Sequence, residues 1–242
     1  MWEIRGKDKR TNRKKWGDRV KMKTIREGIF ETNSSSTHAI VIPKKMDTIE
    51  AKRSWDNDYI FGRQESRLVD NIDEKIAYVW GILLSMYCET YWDDKEPYPS
   101  TKYIFKEEVF EHFEKMTKDI CKKFYSQENV YIEEKDIIAL FEYLKGHKQD
   151  RGTKIYVDHT ESFSGENKEF VDKILNNTDD FYTRYLFSED SYITVGGDEY
   201  RGYNIKTIGF EYDYGGIFEE DNEFWKKVEE YRKEHDVFFK GC

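Results

Sequence analysis

Cysteine, proline and long apolar runs are all scarce in this chain, and each scarcity removes a class of protein. Cys88, Cys121 and Cys242 stand far apart with no Cys-x-x-Cys among them, a sparse odd set that fits a reducing compartment better than a disulfide framework. Nowhere do about 18 apolar residues follow one another, which removes a membrane-spanning helix from the reading. The N-terminus lacks the apolar core of a secretory signal, so the expected location is cytoplasmic. Also missing are the Gly-x-x-x-x-Gly-Lys phosphate loop and the Gly-x-Ser-x-Gly elbow, as well as any internal repeat or low-complexity run. Only three prolines occur; Pro43 ends an apolar run, and Pro97 and Pro99 mark a connection.

What is present is aromatic. Hydrophobic residues make up 38% of the 242 positions, but 17% are Phe, Tyr or Trp, and each such ring buries roughly 150–250 Å². A sizeable core is therefore within reach, carried by few, large side chains, many of them Tyr with a polar tip. The net charge of −9 hides an asymmetry: residues 1–23 hold ten Lys or Arg against Glu3, Asp8 and Asp18, about +7, which leaves about −16 on residues 24–242. An acidic body argues against broad nucleic-acid binding, which needs a basic face.

Residues 1–23 show no apolar periodicity and read as a basic flexible arm, a tether to an acidic partner, or an upstream extension before a natural start at Met22. Thr24 to Phe30 reads as a strand or hairpin arm, and Ser36 to Ile42 as a buried strand stopped by Pro43. Residues 44–66 look like a surface loop pinned by Trp55, Tyr59 and Phe61. Leu68, Ile72, Ile76, Val79, Trp80, Leu83 and Tyr87 then recur at three and four, the face of a helix of about six turns. A second helix carries Val109, Phe113, Met116, Ile120 and Phe124; a third, Glu133 to Lys145, turns Ile137, Ile138, Phe141 and Leu144 inward and ends at Gly146. Lys154 to Val157 reads as a strand, Glu166 to Leu175 and Asp179 to Phe187 as helices, Ser191 to Val195 and Asn204 to Tyr214 as strands. A last amphipathic helix begins at Asp221-Asn222-Glu223, with Phe224, Trp225, Val228 and Tyr231 on one side.

Three polar clusters sit at strand ends, where a fold usually displays its reactive groups: Glu31 to His38, Asp158 to Ser162, and Asp190 with Asp198. In the first, Asn33, Ser34, Ser35, Ser36 and their backbone N–H groups can cradle a phosphate or carboxylate, with Arg26 supplying a bidentate contact and Glu31 beside them. His38 suits general acid–base work near neutral pH. The plainer alternative is that Asn33 and the serines satisfy a buried turn while His38 bonds a backbone carbonyl. Asp158-His159 is the second catalytic candidate, Asp158 orienting an imidazole. Neighbours on a strand point to opposite faces, so one of the two faces any given pocket. With His38 and Asp198 it would complete a mixed N/O metal site, although the long gaps neither require nor forbid a metal, and no cofactor is named by the sequence. Asp190 and Asp198 complete the candidate ligand-binding set. Tyr200, Tyr203, Tyr212 and Tyr214 either stack a base or cover a sheet face. His112, His147 and His235 read as solvent-facing on helices.

The run Arg26-Glu-Gly-Ile-Phe30-Glu31-Thr32-Asn33-Ser34-Ser35-Ser36-Thr37-His38 resembles the N-terminal signature of a family of phage and Gram-positive bacterial proteins of uncharacterised activity. Tyr156-Val157-Asp158-His159 and Leu186 to Ile193 resemble further segments of that family. The resemblance implies a phage or mobile-element setting and a start near Met22, and no activity.

The expectation is an α+β fold: residues 24–242 as one domain, with a helical subdomain at 67–147 inserted between N-terminal and C-terminal strands. Residues 24–43, 153–162 and 186–214 should form a mixed sheet whose strand ends build one polar pocket for a phosphorylated small molecule or nucleotide. The competing expectation is a non-enzymatic acidic inhibitor that docks on a host defence protein or another nucleic-acid-binding protein.

Overall fold

A computed structural model describes residues 37–54, 59–61, 67–92, 101–147, 155–157, 165–196, 203–205, 210–212 and 222–240. The fold is α+β. Its centre is helix α1, Ile72–Tyr87, of which every residue from Ile72 to Leu84 is buried. A helix apolar on nearly all sides has to be covered on all sides. The sequence around it supplies that cover from three more helices and two sheets: α2, Glu107–Phe124; α3, Glu134–Lys145; and α5, Phe181–Phe187, with the strands below.

Strand β1, Thr37–Pro43, is the inner strand of an antiparallel sheet. On one side lies β10, His235–Lys240, in register from His38↔Lys240 to Pro43↔His235. On the other lies β7, Tyr192–Gly196, from Thr37↔Gly196 to Val41↔Tyr192. Beyond β7 comes β3, Arg67–Val69, with Arg67↔Val195, giving the order β10-β1-β7-β3. β1 is apolar at consecutive positions because both faces are covered. Ile40 and Ile42 enter the main core with α1 and α5. Ala39 and Val41 point the other way, into a small cluster with Val237 and with Val228 of α6, Asn222–Tyr231. Alternation of side chains along a strand requires this division.

Among the described residues, the strands at 155–157, 203–205 and 210–212 do not join the four-stranded sheet. β6, Ile155–Val157, pairs in parallel with β2, Tyr59–Phe61, as a separate two-stranded unit, and β8, Tyr203–Ile205, pairs only with β9, Phe210–Tyr212. The β2–β6 pair is drawn onto α1 instead of into the sheet. A Cβ added at Gly81 would lie 2.5 Å from Val157 Cγ2, so the helix admits the strand this closely because residue 81 is glycine. Tyr59 and Phe61 are thus buried strand residues, not pins in a loop.

Four further expectations need correction. Leu68 lies on β3, 57% exposed, because α1 starts later: Asn71 Oδ1 accepts the Glu74 N–H at 2.9 Å and Asn71 Nδ2 donates back to the Glu74 carboxylate, a cap directly before Ile72. Ile138 is 44% exposed while Ile137, Leu140, Phe141 and Leu144 carry the inner face of α3. The connection after α1 contains a hairpin, β4 Cys88–Trp92 with β5 Thr101–Phe105. His235 begins β10, stacked on Tyr231 with ring centroids 4.0 Å apart, and is half-buried instead of standing on a helix in solvent.

The aromatic core forms as composition suggests, and its fully buried tyrosines Tyr78, Tyr182 and Tyr185 are hydrogen-bonded at their tips. Tyr182 shares a 2.8 Å bond with Thr117, and Tyr185 donates to the Lys75 carbonyl at 2.9 Å. Helix α4, Gly165–Asn176, brings Phe170 onto Phe181, Tyr185 and Phe238.

Candidate functional site

Antiparallel register decides which loops can meet. Thr37↔Gly196 sets the start of β1 beside the end of β7, while His38↔Lys240 and Arg67↔Val195 add the end of β10 and the start of β3. Four strand ends therefore share one end of the sheet. In sequence, Ser34-Ser35-Ser36 immediately precedes β1 and Gly197-Asp198 immediately follows β7.

His38 lies at this end, on the same face of β1 as Ile40, and is fully buried. Its Nδ1 is 2.8 Å from the Tyr78 hydroxyl of α1. Burial without a compensating charge pushes the Tyr78 phenol well above its ordinary range, so the hydroxyl keeps its proton. Tyr78 has a second neighbour: Phe61 of β2 meets it edge-on at 5.1 Å. Phe61 is the register partner of Val157, and Val157 lies against Gly81, three positions after Tyr78 on α1. Asp158-His159 follows Val157 directly. One turn of α1 is accordingly shared by the root of the serine run and the strand that leads into the Asp-His pair.

Of the residues singled out from sequence, His38 and Asp190 are described. His38 bonds a tyrosine hydroxyl, a partner that the sequence did not suggest. Asp190 is exposed in the turn before β7. Because Tyr192 pairs with Val41 and Gly196 with Thr37, it belongs to the opposite end of the strand, about 13 Å away at the rise of an extended chain. It is not brought to the His38 end. Arg26, Glu31, Asn33, Ser34, Ser35, Ser36, Asp158, His159 and Asp198 lie outside the described residues, as do Thr24 to Phe30.

Three buried ionisable residues on the first turn of α1, Asp73, Glu74 and Lys75, escaped the sequence reading. Asp73 takes Arg53 Nε at 3.1 Å, and the same guanidinium reaches Asp136 at 2.9 Å through Nη1. Burial nonetheless pushes the Asp73 carboxyl up to about 6, with Arg53 opposing the shift. Lys75 is also buried, and desolvation lowers its ammonium to about 7 against the pull of Asp70 and Glu50. The only sequence signal was their place inside an apolar run. His112 is exposed on α2 as expected, with Nε2 2.9 Å from the Leu175 carbonyl oxygen, while His147 is half-buried, with Nδ1 2.7 Å from that of Tyr143.

Among the described residues no group of three or more His, Cys, Asp or Glu is arranged to hold a metal ion, and no helix is long and apolar enough to cross a membrane. No protein-family model, curated protein or solved structure matches the chain.

Proposed function

We propose that the end of the sheet where β1 starts carries a pocket for a phosphorylated small molecule or nucleotide, in a cytoplasmic protein of phage or mobile-element type. The observation that carries this reading is the shared turn of α1: Tyr78 holds His38 at 2.8 Å and Phe61 at 5.1 Å, and Gly81 receives Val157. Ser34, Ser35, Ser36 and Asn33 then offer hydroxyl, amide and backbone donors to an oxyanion, with Arg26 as the cation and Glu31 and Asp198 completing the ligand-binding set. His159 is the group for proton transfer, with Asp158 to orient an imidazole. His38, buried and bonded to Tyr78, acts as the positioning residue that fixes the root of the serine run.

The test is thermal stability of the purified protein against a panel of nucleotides and sugar phosphates. A ligand at about 100 times its Kd should stabilise by roughly 2.7 kcal/mol. The Ser34→Ala/Ser35→Ala and Asp158→Ala variants should lose that gain while retaining the unliganded unfolding temperature. No shift with any member of the panel would end the proposal.

A second reading rests on the outer face of α3. Tyr131 and Ile138 are 68% and 44% exposed beside the exposed carboxylates Glu133 and Glu134. With about −16 on residues 24–242, this face suits docking on a basic host defence protein. Binding of that kind weakens at high salt and survives Asp158→Ala.

A further inference from the structure

The opposite end of β1 gathers positive charge, which the body's large negative net charge does not lead one to expect. Pro43 pairs with His235 there, and a cavity of about 300 Å³ opens, lined by Lys44, Glu169, Lys173, Arg232, His235 and Asp236 among others. The cations come from three separate places: Lys44 from the segment after β1, Lys173 from α4 and Arg232 from the turn after α6. Each is anchored. Lys44 Nζ donates to the Arg232 carbonyl at 2.5 Å, and the Arg232 Nη2 donates to the Val237 carbonyl at 3.4 Å. Lys173 Nζ sits over the rings of Phe238 and Phe181, at 5.2 and 5.5 Å.

The acids do not cancel this charge. Asp236 already faces two cations, Arg184 Nη1 and Lys173 Nζ, each at 3.6 Å. Glu169 pairs with Lys173 and Glu229 with Arg232, each at 3.1 Å, but these carboxylate side chains are 59% and 68% exposed, so both pairs are weakly held. Like charges fixed on separate elements around one hollow repel, and an anion in the hollow removes that repulsion. Lys44 is exposed and Lys173 only partly covered, so both can turn ammonium N–H groups toward such an anion.

We propose that this cleft binds a phosphate-type oxyanion, either inorganic phosphate or the terminal phosphate of a small phosphomonoester, at a site separate from the pocket at the start of β1. The experiment uses the full chain and compares inorganic phosphate, glycerol phosphate and chloride at equal ionic strength by thermal unfolding. At a roughly tenfold excess over Kd, the occupying ligand should raise the unfolding temperature by about 3 °C beyond chloride. A response to phosphate alone assigns the site to the free ion, and a response to the ester assigns it to a metabolite. No response beyond chloride to either overturns the proposal.

Lys44→Gln/Arg232→Gln should abolish the shift. Glu169→Gln, a change at an exposed position, should tighten phosphate binding on the order of threefold by removing one of the two loosely held carboxylates. Persistence of the shift in the double variant, or unchanged or weaker binding in Glu169→Gln, would overturn the assignment. Ser34→Ala/Ser35→Ala must leave the shift intact; if that variant removes it, the anion belongs to the serine run and not to this cleft.

Discussion

The two ends of β1 are built on opposite principles. At its start His38 and the Tyr78 hydroxyl form a hydrogen-bonded pair buried among apolar groups. At its finish the Pro43 carbonyl accepts from Arg184, and Arg184 faces Asp236 in a chain of charges that runs on to Lys173. The buried pair gains from being dry, because a buried hydrogen bond is strong only while both partners stay matched. The charged end stays partly wet, with Lys173 35% and Asp236 19% exposed, so salt and solutes reach it. One strand thus holds a rigid root at one end and an ion-responsive surface at the other.

The largest expected effect sharpens this contrast. His38→Ala leaves a cavity and strands the Tyr78 hydroxyl, which should cost about 3–4 kcal/mol in denaturant unfolding. The loss should be the same at low and high salt. Tyr78→Phe should cost less, about 1–2 kcal/mol, and the double variant should cost less than the sum of the two, since both changes break one bond. Strict additivity would show that the pair is not a unit.

The pH profile comes next, and it separates α1 from both ends of the strand. Asp73 has its folded value at about 6 against an ordinary 3.8. The folded state therefore binds the extra proton in that window, and stability falls as pH rises from about 4 to 6, by up to about 3 kcal/mol. Lys75 is lowered from 10.5 to about 7. The unfolded chain binds the extra proton there, so stability rises again from about pH 7 to 10. Together the two groups predict a trough between them. Asp73→Asn should flatten the acid limb and Lys75→Met the alkaline limb, each followed by chemical unfolding across pH. A profile that rises monotonically to neutrality would mean that Arg53 holds Asp73 ionised.

Smaller again is Arg184→Met. It removes the donor to the Pro43 carbonyl and one of the two cations facing Asp236, for about 1–3 kcal/mol. Unlike the His38→Ala loss, this one should change with ionic strength, because Asp236 and Lys173 remain within reach of salt. Equal salt dependence at the two ends would break the comparison.

The elements were largely legible and their partners were not. Periodicity located α2, α3 and α6, and the run Ala39 to Ile42 gave the inner strand. The start of α1 was written as Asn71-Ile-Asp-Glu74, a capping signature that the apolar spacing of Leu68 overrode. β10 was missed because Lys233-Glu234-His235-Asp236 reads as the charged end of a helix; only the pairing with β1 makes it a strand. Where β6 goes turns on Gly81 accepting Val157, a contact between distant segments with no local pattern. Of the expected site, only the pairing of Thr37 with Gly196 is described, and it follows from register, which a sequence does not display. The cation-rich cleft is less legible still: Lys44 and Arg232, whose groups touch, stand 188 positions apart.

The smallest effect tests whether the two ends are independent. Asp190 looked like a partner of Asp198, since each lies two residues outside β7, yet it is exposed in the turn that precedes the strand, at the end away from His38. Asp190→Asn should therefore change stability by less than about 0.5 kcal/mol, as an exposed substitution without a buried partner does. It should also leave ligand-induced stabilisation at the serine run unaltered, whereas Asp198→Asn should reduce it. Thermal unfolding of both variants, with and without the ligand found in the panel, decides the matter. If Asp190→Asn weakened that ligand as much as Asp198→Asn, β7 would be transmitting between the ends. The division into a dry root and a wet surface would then have to give way to a single coupled site.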